Sequence, residues 1–119
     1  MSEQHPMILF VGHPEHGAQL LESVEPMGWW VYQPTTANEV LGMYVSYMPD
    51  VVVMDAEAMP DVAEEVYFHL ASVQADPMIV IGGDAVWSDR ATHHLPTHAS
   101  IEAIITCVAE TTDAVVYSR

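Results

Sequence analysis

The chain has 119 residues, half of them hydrophobic, which suits one packed domain over residues 1–119 and excludes a disordered polymer. Seventeen acids stand against two bases, Arg90 and Arg119, with no lysine, for a net charge of −15. That balance argues against nucleic acid, which is bound by displacing counterions from phosphates with basic groups, and disfavours anionic membranes.

The acidity fits plain solubility, a high-salt cytoplasm or a basic protein partner, and composition does not choose among them. The apolar runs fall well short of the roughly 20 residues that span a bilayer. The polar start, Met1 to Pro6, lacks the order of a signal peptide, so a cytoplasmic protein is expected. A single cysteine, Cys107, excludes an internal disulfide and is expected to be a buried packing residue.

Taken in chain order, short apolar runs alternate with segments of helical period. Met7 to Val11 predicts a buried strand, and Glu15 to Met27 a helix with Leu20, Leu21, Val24 and Met27 on one face. Gly28 ends that helix before a second strand, Trp29 to Gln33. Alternation sends Trp29 and Val31 to one face and Trp30 and Tyr32 to the other, both sets expected to pack under helices. Ala37 to Met48 predicts a helix stopped by Pro49, and Val51 to Met54 a third strand ending at Asp55. A third helix is expected over Asp61 to Val73, with Asp61, Glu64 and Glu65 on a solvated first turn. Met78 to Ile81 is the fourth strand, closed by Gly82-Gly83. The last helix runs from Ser100, a plausible N-cap, to about Thr111.

This alternation predicts an α/β fold, a parallel sheet covered on both faces. Function in such sheets collects at the carboxyl ends of the strands. Gly12, His13, Asp55 and Gly82 belong to that edge.

Several segments, in this order, resemble the receiver domain of two-component response regulators. "PDVVVMD", Pro49 to Asp55, is similar to the family's third strand, which ends in the phosphoacceptor aspartate. "GWWVYQPTTANEVL", "MPDVAEEV" and "LPTHASIEAI" resemble the second strand with its helix, the entry to the third helix, and the end of the fifth strand. The resemblance covers nearly the whole chain. It implies a doubly wound sheet of the CheY type, with five parallel strands in the order 2-1-3-4-5. Only fourteen residues separate Gly82 from Thr97, too few for a crossover with a full helix and a strand, so a shortened fourth helix carrying Trp87 is expected.

Phosphoryl transfer in that family needs a cation and positive charge around the acceptor. Asp55 matches the acceptor position. Gly12 and His13 replace the acidic pair that would hold a hard cation, leaving Glu15 nearby. Gly82 replaces a hydroxyl residue, Thr97 the lysine, and His94 the aromatic residue that signals phosphorylation. The resemblance therefore points to a pseudo-receiver in which Asp55 is vestigial: a non-enzymatic interaction domain in signalling or transcriptional control, with no cofactor. The resemblance implies a basic protein partner or a second copy on the surface of the fourth helix, fifth strand and last helix, with Trp87, Ile101 and Ile105 as contacts. Two alternatives stay open. One is an active phosphoacceptor with a cation on Asp55, Glu15 or Glu57; the other is a small-ligand or metal-binding domain.

Histidines bear on the last of these. His13 and His16 follow the first strand, while His93, His94 and His98 flank the fifth. The strand order puts two strands between them, so the two groups are expected to lie too far apart to share an ion.

Overall fold

In the computed structural model, the described residues are 5–72, 77–83 and 91–113. Five strands form one parallel sheet: β1 (Met7–Val11), β2 (Trp30–Tyr32), β3 (Val51–Asp55), β4 (Met78–Ile81) and β5 (His93–Leu95). Their order is β2-β1-β3-β4-β5. The helices are α1 (Pro14–Val24), α2 (Ala37–Tyr47), α3 (Pro60–Ser72) and α4 (Ile101–Thr112). Residues 84–90, with Trp87 and the expected short fourth helix, lie outside the described residues.

The central strands are apolar up to Asp55 at the end of β3, because both faces are covered. Ile8, Phe10, Val51, Val53, Ile79 and Ile81 point to one side, where Leu20 and Val24 of α1 and Ile104, Cys107 and Val108 of α4 complete the layer. Leu9, Val11, Val52, Met54, Met78 and Val80 point to the other, against Ala37 and Val40 of α2 and Ala63, Val66 and Tyr67 of α3. Burying each such aliphatic side chain contributes about 1.5–3 kcal/mol. Register places Val11 beside Met54 and Asp55 beside Ile81, which brings the strand ends to a common edge.

Several boundaries differ from the sequence expectation. The first helix begins at Pro14 and gives way after Val24 to a 3-10 turn, Glu25–Met27. Pro26 is the reason, because a proline cannot donate its backbone N–H to continue the α-helical ladder. Gly28 then reverses the chain at φ 82°. Trp29 precedes β2 rather than opening it, yet is 1% exposed, whereas Trp30 is 46% exposed. The expectation that both tryptophans pack under helices is thus corrected: β2 is an edge strand, and Trp30 stays half-exposed, edge to face with Tyr32. β3 includes Asp55, α2 stops at Tyr47 with Met48 in a left-handed cap, and α3 starts at Pro60. His93 and His94 sit within β5 rather than beside it. Ser100 caps α4 by accepting from the Ala103 amide at 3.1 Å.

Candidate functional site

The carboxyl edge is assembled by four turns. Asp55 ends β3 half-buried, and its Oδ1 accepts from the amides of Glu57 and Ala58, both at 3.0 Å. This is an Asx-type closure, in which a strand-terminal carboxylate satisfies the turn that follows it. The backbone continues the sheet one step further, with Ala56 N donating to Ile81 O and Gly82 N to Leu95 O, both at 2.9 Å.

At the end of β1, Gly12 leaves no room for a side chain. A Cβ there would stand 2.8 Å from the Phe10 ring and 3.2 Å from Asp55 Cβ. Phe10 is 1% exposed, so the ring has little freedom to give way. His13 and His16 are exposed at the start of α1, their rings edge to face with centroids 5.7 Å apart. Glu15 is exposed on the same turn and does not line the cavity described below.

At the ends of β4 and β5 the geometry is polar. Gly82 and Gly83 both have left-handed backbones, φ 71° and 78°. Their turn presents the Gly83 amide to Glu57 Oε2 at 3.2 Å, and the Thr97 hydroxyl donates to the same oxygen at 2.5 Å. The Thr97 hydroxyl, then the Gly83 amide, hold the Glu57 carboxyl below the ordinary carboxylate value; His98 adds to this and desolvation opposes it. His94 bonds the Gly82 carbonyl through Nε2 at 2.6 Å, and since a carbonyl only accepts, Nε2 carries the proton. The His94 ring is therefore tied to the turn it follows.

These turns and the first residues of α4 enclose a cavity of about 380 Å³. Asp55, Glu57, Thr97 and His98 line its polar side with His13 and His16, and Phe10, Ile81, Ile101 and Ile104 its apolar side. His13, His16 and His98 line this one cavity, although two strands lie between β1 and β5. The reason is that α1 and α4 pack on the same face of the sheet, so the segments entering them converge although their strands are not neighbours. His93 and His94 stay apart from it. Among the described residues, no group of three or more His, Cys, Asp or Glu side chains is placed to hold a metal ion.

Sequence reasoning named Asp55, Gly12, His13, Gly82, His94 and Thr97 and missed the role of Glu57, which it considered only as a cation ligand. The available signal was spacing: Glu57 lies two residues beyond a strand end, on the edge that also receives Thr97. Ile101 and Ile105 are half-buried on α4, where they line a shallow groove with Gln19, Glu22, Ser23 and Glu102. Cys107 is buried, which pushes its thiol pKa up, with Glu110 adding to the shift.

No family profile and no curated protein matches the chain by sequence. Solved structures do match it. A response regulator receiver protein from Burkholderia phymatum is 23% identical, with a TM-score of 0.74 over 93% of this chain and 98% of that one. A response regulator receiver domain protein from Clostridium thermocellum is 15% identical, TM-score 0.70, over 91% of this chain and 94% of that one. The pseudo-receiver domain of the CikA protein is 16% identical, TM-score 0.70, over 91% and 97%. The architecture is that of receiver domains.

Proposed function

We propose that the chain is a receiver-like interaction domain that works without phosphorylation of Asp55 and is not an enzyme. The observation that carries this is the wall behind Asp55, where Phe10 and Asp55 itself fill the space a side chain at Gly12 would need. No second carboxylate can enter from that position to share a hard cation with Asp55. The absence of any lysine from the chain adds to it, since transferred phosphoryl charge would lack its usual partner. Regulation then passes through contacts. Two features support a basic, partly apolar protein segment as partner: the Ile101–Ile105 groove is flanked by Glu22 and Glu102, and the net charge is −15.

The test is incubation with acetyl phosphate or phosphoramidate and Mg²⁺, followed by intact-mass analysis. The expected spectrum shows unmodified protein. A stoichiometric phosphate adduct that Asp55→Asn abolishes would overturn the proposal in favour of a working phosphoacceptor.

A further inference from the structure

The Glu57 side chain touches two neighbouring turns at once. Its carboxylate leaves the turn after β3, accepts from Gly83 after β4, and accepts from Thr97 after β5, forty positions further along the chain. Thr97 and Glu57 both line the cavity. Gly82 shows that this arrangement is built in rather than incidental. A Cβ on Gly82 would lie 2.7 Å from Glu57 Oε2, so the carboxylate occupies the room a side chain there would take. The left-handed backbone at both Gly82 and Gly83 is what aims the Gly83 amide, and only glycine adopts it cheaply. Two positions that looked like separate losses, Gly82 and Thr97, join the turn after β3 in a single cradle.

We propose that Glu57 is the resident anion of this cradle, closing the carboxyl edge to external oxyanions and tying the turns after β3, β4 and β5 together. This deepens the phosphorylation-independent function and rests on it. A fixed carboxylate on the donors excludes phosphate in two ways, by filling the hydrogen-bond positions and by like-charge repulsion. It also replaces a transient ligand with a permanent covalent part of the chain, so the three turns hold one arrangement without a signal.

The proposal is tested by amide NMR of the intact chain. Inorganic phosphate titrated into wild type should leave the Gly83 and Thr97 amides unmoved. In Glu57→Ala the same titration should shift both saturably, with an affinity roughly tenfold or more above wild type. Glu57→Gln, which keeps the side-chain shape, guards against loss of fold as the cause and should fall between them. A second arm follows the Gly83 amide in wild type as pH is lowered, where it should report the Glu57 carboxyl titrating. Asp55, His13, His16 and His98 face the same cavity, so their contribution is read as the change that persists in Glu57→Gln. Phosphate shifts equal in wild type and Glu57→Ala, or none in either, overturn the proposal, as does a Gly83 amide indifferent to Glu57→Gln. Phosphate adduct formation on Asp55 is a separate measurement, so the function and the cradle can fail independently.

Discussion

The ends of β1 and β4 both carry a glycine at the same carboxyl edge of the sheet, and the two are there for opposite reasons. Gly12 lies against an apolar wall, the buried Phe10 ring, and its backbone is ordinary. Gly82 lies against a charged group, the Glu57 carboxylate, and its backbone is left-handed. One glycine is imposed by packing of the core; the other makes room for a polar contact across the edge. Missing side chains at a binding edge can thus mark either a site that the core has closed or one whose chemistry has been replaced from within.

The strongest way to break this contrast is through the wall. Phe10→Ala should lower stability by about 3–5 kcal/mol, because it empties a fully buried aromatic position beneath both α1 and α4. Gly12→Asp in the wild-type background should cost about 1–3 kcal/mol by overpacking. In Phe10→Ala the added penalty for Gly12→Asp should shrink, which urea denaturation of the four proteins would measure. Additive costs would mean that Phe10 is not what excludes a side chain at position 12.

Gly82→Ala sharpens the other half. It should destabilise by about 1–2 kcal/mol, the cost of a Cβ at a left-handed backbone. Removing the carboxylate with Glu57→Ala should relieve the contact but leave the backbone strain. A double-mutant cycle is therefore expected to show coupling between the two positions and incomplete recovery. Full recovery would reduce Gly82 to the same packing role as Gly12.

The smallest effect is electrostatic. The Glu57 carboxyl is held below its ordinary value in the fold, so its contribution is present above the unfolded carboxylate range and lost as pH falls through the lowered value. The melting-temperature gap between wild type and Glu57→Gln should be widest near neutrality and close in acid. Glu39 is lowered in the same direction by the Thr35 amide and hydroxyl, so Glu39→Gln makes a useful comparison away from the cavity. A gap that widened in acid would contradict the assignment.

How much of this was legible in the sequence depends on the range of the interaction. Each strand and helix carries its own period, so the alternation of elements, the buried run at Val51 to Met54 and the Ser100 cap could be read locally. The strand order came through the resemblance to receiver domains, not from periodicity. Trp29 and Trp30 show the limit even for neighbours. Alternation assigns them to opposite faces, but burial of one and exposure of the other follow from β2 being an edge strand.

By itself the sequence determined the α/β class, the apolar sheet, the acidic surface and the set of residues at the strand ends, because local periodicity and composition encode all of these. The tertiary structure alone decided that His13, His16 and His98 share a cavity, that Phe10 closes the space at Gly12, and that Glu57 meets Thr97. Each of those depends on which face of the sheet a helix covers and where distant turns converge. No period in the chain records that geometry, because it is produced only when both apolar layers pack against the sheet at once.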